Sequence, residues 1–165
     1  MFREMRRKKQ LLSQSDAYEI LKNGSFGVLA VLGDDGYPYA VPISYALYGE
    51  TICFHCAKAG HKLDAIRRCG KVSFCVTDRD DVVPAEFTTY FRSAIAFGIA
   101  KIIDDIAEAR RAAELIARKY APNESDESIS AEIDREMSHM CIVEITIEHL
   151  TGKEAIELVR GRDRG

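Results

Sequence analysis

Much of the chain alternates between apolar and polar residues with the two-residue period of β-strands, or is dense in β-branched and aromatic residues. Six segments with this character are predicted strands: 26–32, 37–47, 51–56, 71–77, 89–103 and 140–150. Asp35-Gly36 joins the first two segments and is typical of a tight β-hairpin turn. Pro38 and Pro42 lack a backbone N–H donor, so the second strand is expected to bend, bulge or lie at an edge. Gly98 marks an expected bulge in the fifth strand.

The remaining periodic segments have helical spacing. They predict helices over 13–23, 61–68, 104–120 and 125–138. Ser13 or Asp16 can cap the first helix, and the third is predicted to present one apolar face formed by Ile106, Ala109, Ala113, Ile116, Ala117 and Tyr120. The polar stretch 78–88 is predicted to be a loop. Because strands and helices do not alternate regularly, the pattern favours a mainly β fold, an antiparallel barrel with peripheral helices.

The length and composition limit the class of protein. The chain has 165 residues, 47% of them apolar and 30% charged, as expected for one globular domain. A net charge of -3 gives no global basic field for nucleic acid, and the longest apolar run is about seven residues, where a membrane span needs roughly 18. Residues 13–153 are therefore the expected domain, with a basic, solvated tail over 1–12 and a second tail over 154–165.

Five cysteines occur in a sequence that has no recognisable export signal, so reduced thiols and a cytoplasmic location are expected. Cys53 and Cys56 have the C-x-x-C spacing of some metal and redox sites. They lie, however, in the predicted strand 51–56, where residues three apart point to opposite faces. The pair is therefore not expected to share a metal ion or a disulfide, and no metal site is predicted.

The most informative candidate for chemistry is the segment 54–66, in which a strand ends, small residues turn, and a helix begins with His61 and Lys62. A helix N-terminus carries unpaired backbone N–H groups and the positive end of the helix dipole. Two further cationic side chains there indicate an anionic partner, and a phosphate monoester fits. The alternative is that Lys62 is an ordinary solvated lysine on a surface helix.

Four blocks of sequence occur in series: GYPYAVPISY at 36–45, FHCAKAGHKLDAI at 54–66, KVSFCV at 71–76 and YFRSAIAFGIAKII at 90–103. Together they resemble the FMN-binding split-barrel superfamily, the group of pyridoxamine-phosphate-oxidase-like proteins. The resemblance extends from about residue 15 to residue 153. Within the superfamily, the chain most resembles the branch that contains the 5-nitroimidazole-resistance flavoproteins.

The resemblance implies a six-stranded antiparallel split β-barrel that forms a homodimer and binds FMN at the subunit interface. It also implies an oxidoreductase of the flavin reductase or nitroreductase type, which transfers electrons from a reduced nicotinamide to a small acceptor such as a nitroaromatic compound. Matching positions suggest contacts with the flavin ring, the ribityl chain, the phosphate and the neighbouring subunit's flavin. In chain order these candidate residues are Val41, Pro42, Ile43, Ser44, Tyr45, His55, Cys56, His61, Lys62, Arg92 and Ser93.

The sequence also departs from the oxidase pattern. Val41 and His61 stand where the oxidase usually has arginines, and the chain contains no tryptophan. Pyridoxamine-phosphate oxidation is therefore disfavoured. Two further functions stay open: binding of FMN without turnover, and binding of haem by the same fold with His55 or His149 as axial ligand. No catalytic residue is assigned, and Val41, Ile43 and Cys56 could equally be core residues.

Overall fold

The computed structural model describes residues 2–162, which form one antiparallel sheet of seven strands flanked by helices. The strands are β1 Gly27–Leu32, β2 Pro38–Ile43, β3 Ala46–Tyr48, β4 Thr51–Ala57, β5 Lys71–Val83, β6 Thr88–Ile103 and β7 Met140–Glu154. The helices are α1 Gln14–Asn23, α2 His61–Arg68, α3 Ile106–Tyr120, α4 Asp126–Glu136 and α5 Ile156–Arg162. The predicted mainly β architecture is confirmed.

The sheet has seven strands where six were expected, because the second expected strand is interrupted. The strand order is β2-β1-β5-β6-β7-β4-β3, so β2 and β3 lie at opposite ends of the sheet although only Ser44 and Tyr45 separate them in the chain. The backbone N–H of Tyr45 donates to the Tyr120 hydroxyl at 2.8 Å rather than to a strand. Among the described residues β2 and β3 are not paired with each other, so the seven-stranded sheet is not closed and the expected six-stranded split barrel is not confirmed.

The expected loop at 78–88 is wrong for most of its length, because β5 continues to Val83 and pairs with β6. The register shifts by one residue between Thr77 and Arg79, and the pairing with β6 continues beyond the shift. This outer part of β5 has polar side chains on both faces, so its sequence shows no alternation of apolar and polar residues. The register between β6 and β7 does shift beside Gly98, but the extra residue is Glu148 of β7, so the bulge lies in the strand opposite Gly98 rather than in β6. A Cβ atom at Gly98 would overlap the Thr146 carbonyl oxygen.

The helices largely follow the predicted bounds. The first turn of α2 begins at His61 as expected, and α1 begins after Ser13, whose hydroxyl accepts the Asp16 N–H at 3.0 Å. The apolar face predicted for α3 is wrong at Ile106, which is 77% exposed because it is the first residue of the helix and precedes the turns that pack. The face that packs consists of Ala109, Ala112, Ala113 and Ile116.

Two hydrophobic clusters lie on opposite sides of β4. The larger cluster contains Phe54 and Phe74 and packs the sheet against α1 and α2, while the smaller one packs β3 and β4 against α3 and α4. Cys53 belongs to the smaller cluster and Cys56 packs against the larger one, which confirms that they face opposite sides of the strand. No helix within residues 2–162 is long and apolar enough to cross a membrane.

The segments before and after the domain expected at 13–153 contact each other and the sheet. Leu12 donates its backbone N–H to the Gly152 carbonyl at 3.0 Å, and the buried Gln10 side chain donates to the Glu154 carbonyl at 2.9 Å. The buried Glu154 carboxylate forms an ion pair with Arg162 of α5. Contacts with the N-terminal segment and with α5 thus hold the last residues of β7 in place.

Candidate functional site

A cleft of about 560 Å³ opens where the ends of β2 and β4 meet the start of α2 and the junction between α4 and β7. Its volume is within the range typical of small-molecule sites. The residues that line it are Val41, Pro42, Ile43, Ser44, His55, Cys56, Ala57, Lys62, Glu136, His139 and Met140. We call this surface the cleft.

One end of the cleft is cationic. Lys62 is in the first turn of α2, and no side chain caps this helix; its N-cap is Gly60, whose φ of 135° is a conformation that favours glycine. The N–H groups of Leu63 and Asp64 both turn back to the Gly60 carbonyl. Lys62 makes no ion pair with any carboxylate in residues 2–162. The helix terminus and the ammonium group are thus both available to an anion.

Part of the cleft lining is apolar. Strand β2 alternates so that Val41 and Ile43 turn toward the larger hydrophobic cluster while Pro42 and Ser44 remain exposed, and Met140 at the start of β7 contributes a half-buried thioether. A surface of this kind suits the face of a planar aromatic ring, which gains contact area without requiring hydrogen bonds. The cleft therefore combines an apolar part with a cationic end.

Two thiols lie under the cleft. Cys56 of β4 and Cys141 of β7 are directly opposite in the ladder, with 3.6 Å between their sulfur atoms. Burial, followed by the neighbouring Cys141, raises the pKa of the Cys56 thiol to about 12, while Lys62 and Arg67 act in the opposite direction. At neutral pH Cys56 is therefore a protonated, weakly polar part of the cleft floor.

Seven of the eleven candidate residues line the cleft, namely Val41, Pro42, Ile43, Ser44, His55, Cys56 and Lys62. His61 does not. Its imidazole stacks on Tyr39 at a centroid distance of 4.3 Å, and its Nε2 atom is 3.5 Å from an Asp34 carboxylate oxygen. The side chain is thereby held beside the turn between β1 and β2.

Tyr45 also lies outside the cleft, since its side chain is completely buried. Its hydroxyl donates to the Leu21 carbonyl, its ring packs edge-on against Phe74, and the Lys119 ammonium lies 4.0 Å from the ring centroid. The Tyr120 hydroxyl accepts the Tyr45 N–H and lies within hydrogen-bonding distance of the Ser25 and Tyr45 carbonyls. We call Tyr45, Lys119 and Tyr120 the Tyr45 clamp. Its burial raises the pKa of the Tyr45 phenol above its ordinary value.

Arg92 and Ser93 lie on β6, away from the cleft of the same chain. Arg92 is opposite Arg79 on one side and Glu154 on the other, and its Nη1 atom is 3.5 Å from an Asp78 carboxylate oxygen. The Nε atom of Arg92 is buried and has no hydrogen-bond partner among residues 2–162. The expected contact of Arg92 and Ser93 with the flavin of a neighbouring subunit stays a prediction.

Sequence reasoning missed four lining residues: Ala57, Glu136, His139 and Met140. The last three belong to the end of α4 and the start of β7. These three residues reach the cleft because Met140 pairs with Ala57 in the ladder between β4 and β7. The two paired residues are 83 positions apart in the chain. A helix and a strand were both expected nearby, but their distance along the chain gave no indication that their junction closes this cleft.

The family comparison covers most of the chain. The family model described as pyridoxamine 5'-phosphate oxidase matches residues 13–154. No curated protein matches the chain significantly.

Several solved structures share the fold. Rv2991, a conserved hypothetical protein of Mycobacterium tuberculosis, has 21% identity and a TM-score of 0.78 over 92% of this chain and 90% of its own. A candidate 5-nitroimidazole antibiotic resistance protein from Bacteroides thetaiotaomicron has 20% identity and a TM-score of 0.71 over 87% and 86%. An FAD and haem binding protein from Mycobacterium smegmatis has 23% identity and a TM-score of 0.71 over 89% and 73%. The resemblance to the split-barrel superfamily is confirmed, and the chain belongs to the pyridoxamine 5'-phosphate oxidase family.

Proposed function

We propose that this protein is an FMN-dependent oxidoreductase of the flavin reductase or nitroreductase type. It takes electrons from a reduced nicotinamide and reduces a small acceptor such as a nitroaromatic compound. The observation that carries the proposal is the cleft itself, whose lining combines apolar residues, Val41 and Met140 among them, with the cationic Lys62. A flavin mononucleotide has the same two parts, a planar aromatic ring and a phosphate.

The described residues fit the phosphate at one end. Lys62 offers a positive charge, and the start of α2, which no side chain caps, offers the positive end of the helix dipole. A phosphate monoester carries about -1.5 to -2 charges at pH 7, so it gains more from this end than a phosphodiester would. This is why FMN is proposed rather than FAD, although three structurally similar proteins are named for FAD binding, one of them for haem binding as well.

The other lining residues would position the ring. Val41, Ile43 and Met140 exclude water from its apolar face, and the exposed Ser44 hydroxyl and His55 imidazole can hydrogen-bond polar atoms at its edge. When bound, a flavin supplies hydride and electron transfer, and the protein supplies binding, orientation and electrostatics. No side chain is assigned as a proton donor, because the proposed reaction requires none from the cleft.

A second copy of the chain completes the proposed site. Arg92 is the residue proposed to contact a ligand held by a neighbouring subunit, since its side chain on β6 is 31% exposed. The sheet face that carries Leu32, Pro38 and Phe97 forms an open, largely apolar groove of about 590 Å³, and Leu32 is 58% exposed there. Apolar surface of this kind suits a contact between two copies.

The dimer is tested by light scattering on the purified chain with and without FMN. We expect twice the chain mass of 18.5 kDa. Replacing Arg92 with Gln should weaken FMN binding without changing that mass. If the wild-type chain is a monomer and still binds FMN tightly, the shared site is contradicted.

The reaction is tested with the protein as purified and after addition of FMN. We expect stoichiometric FMN, a rise in Tm that increases with FMN concentration, and acceptor-dependent oxidation of NADH or NADPH. Absence of both the bound flavin and the Tm shift would overturn the proposal. Bound FMN without turnover, across both nicotinamides and several nitroaromatic and quinone acceptors, would reduce it to flavin binding alone. A haem protein would instead give an intense Soret band.

A further inference from the structure

The pair formed by Cys56 and Cys141 has the geometry of a disulfide that has not yet formed. The two residues face each other in the antiparallel ladder between β4 and β7, and their sulfur atoms are 3.6 Å apart. Directly opposite residues in antiparallel strands have Cα atoms about 4.5 or 5.5 Å apart, and both values lie within the range that a disulfide spans. Rotation of the two side chains can therefore bring the sulfurs into bonding distance without moving the strands.

The other three cysteines do not share this arrangement. Cys53 is completely buried on the opposite face of β4, with its sulfur 4.0 Å from the Ala112 carbonyl oxygen. Cys75 lies in β5 opposite Val28 and Ile95, and Cys69 follows the last turn of α2. Within residues 2–162 the contact between Cys56 and Cys141 is thus the one place where two thiols touch.

Both sulfurs of the pair are reachable by small molecules. Cys56 and Cys141 are half-buried, and each lines a different depression on the surface: Cys56 the cleft, and Cys141 a neighbouring hollow of about 350 Å³ that also contains Lys58 and Arg67. A structural cysteine in a core would be sealed from solvent, as Cys53 is. Exposure of both thiols means that an oxidant can reach either of them.

We propose that Cys56 and Cys141 form a reversible disulfide that staples β4 to β7 beneath the cleft, with hydrogen peroxide as the oxidant. One thiolate attacks peroxide and gives a sulfenic acid and water once the departing hydroxide is protonated. The second thiol then attacks the sulfenic sulfur, forms the S–S bond and releases a second water molecule. In total two thiols and one peroxide give one disulfide and two waters, so two electrons pass from sulfur to peroxide.

The surroundings make this a slow reaction at neutral pH that becomes faster in alkali. Because burial raises the pKa of Cys56 to about 12, only a small fraction is thiolate at pH 7.5. The thiolate is the reacting species, so attack by Cys56 is slow at neutral pH and becomes faster as the pH rises.

The staple should also change stability. The bond would join residues 85 positions apart, and closing a long loop in the unfolded chain is the main route by which a disulfide stabilises a protein. For a chain of this size, the typical disulfide contribution corresponds to a rise in Tm of about 5–15 °C. A thiol reductant should reverse the rise.

The test treats the purified full chain, without added flavin, with hydrogen peroxide at pH 7.5 and pH 9, followed by alkylation and mass spectrometry. We expect a loss of about 2 Da, two fewer alkylated thiols, and one cross-linked peptide pair that contains Cys56 and Cys141. The higher pH should give the faster reaction, and the raised Tm should return to its original value after reduction. Any bound flavin is removed beforehand, so the result is independent of the proposed function.

Three variants make the test specific. Cys56→Ser and Cys141→Ser should each abolish the loss of 2 Da and the Tm rise, whereas Cys75→Ser, the control at another half-buried cysteine, should retain both. Two single variants are included so that a folding defect in one leaves the other to decide. The proposal is overturned if the wild type keeps all five alkylatable thiols after peroxide treatment at pH 9, or if the cross-link joins any other cysteines.

Discussion

Ser44 and Tyr45 are neighbours in the chain, yet they belong to regions with opposite properties. Ser44 is exposed and lines the cleft, whereas Tyr45 is completely buried in the Tyr45 clamp. In the clamp, the Tyr45 hydroxyl, its backbone N–H and the Lys119 ammonium all have partners inside the protein. In the cleft, Lys62 has no ion-pair partner among residues 2–162.

The difference shows how one short segment, which contains Ser44 and Tyr45, can be held rigidly on one side and bind a ligand on the other. Polar groups that are satisfied internally fix the backbone where β2 passes into β3, because breaking them would leave buried groups without partners. Polar groups at the adjacent surface that have no partner within the protein can still bind a ligand. The clamp therefore supports the cleft without contributing atoms to it, and substitutions in the two regions should have different consequences.

The largest effect is expected from removal of the ring at the centre of the clamp. Tyr45→Ala should lower the free energy of unfolding by about 3–5 kcal/mol, because it leaves a cavity against Phe74 and removes the bond to Leu21. Denaturant unfolding followed by circular dichroism measures the loss. Ser44→Ala is the matched control and should change stability by less than about 0.5 kcal/mol. Equal losses in the two variants would contradict the contrast between clamp and cleft.

A smaller effect is expected from Tyr120→Phe. The substitution keeps the ring but removes the hydroxyl that accepts the Tyr45 N–H, so stability should fall by about 1–3 kcal/mol. Amide hydrogen exchange at Tyr45 should accelerate at the same time, since its N–H loses its acceptor. Tyr48→Phe serves as control, because the Tyr48 hydroxyl bonds the Glu144 carboxylate at the surface. Unchanged exchange at Tyr45 would show that the hydroxyl does not hold this junction.

The dependence of stability on pH tests the burial of Cys53 on the face of β4 that points away from the cleft. Burial raises the pKa of the Cys53 thiol to about 12 from an ordinary value of 9. Between these values the unfolded chain has lost the proton and the folded chain has kept it, so stability falls as pH rises, by about 1.4 kcal/mol per pH unit. Unfolding measured from pH 9 to 10.5 should therefore have a shallower slope for Cys53→Ala than for the wild type. Equal slopes of stability against pH in the wild type and Cys53→Ala would contradict the raised pKa of Cys53.

Local patterns were sufficient for most of the fold. Alternation located the strands, and α2 begins and ends at the expected residues because its apolar spacing is encoded within eight positions. The polar stretch that continues β5 was missed, since its side chains face solvent on both sides and show no alternation. The interruption at Ser44 and Tyr45 was also missed, because it depends on a hydroxyl 75 residues away.

The site was predictable to a similar extent. Val41, Ser44 and Lys62 were candidates because they lie in strand and helix ends that resemble a known family, and they share the cleft. The contribution of His139 and the contact between Cys56 and Cys141 depend on the pairing of β4 with β7, which joins parts of the chain more than 80 residues apart. No local signal in the sequence encodes that pairing.

The central claim is that Lys62 and the start of α2 bind the phosphate of FMN. It is tested most directly by measuring the affinities of FMN and of riboflavin, which lacks the phosphate, for the wild type and for Lys62→Ala by fluorescence titration. Lys101→Ala, at an exposed lysine of β6, is the control. We expect Lys62→Ala to weaken FMN binding about 10- to 100-fold, as for loss of a charged hydrogen bond, while riboflavin binding changes little. Equal losses for both flavins, or no loss for FMN, would contradict the claim.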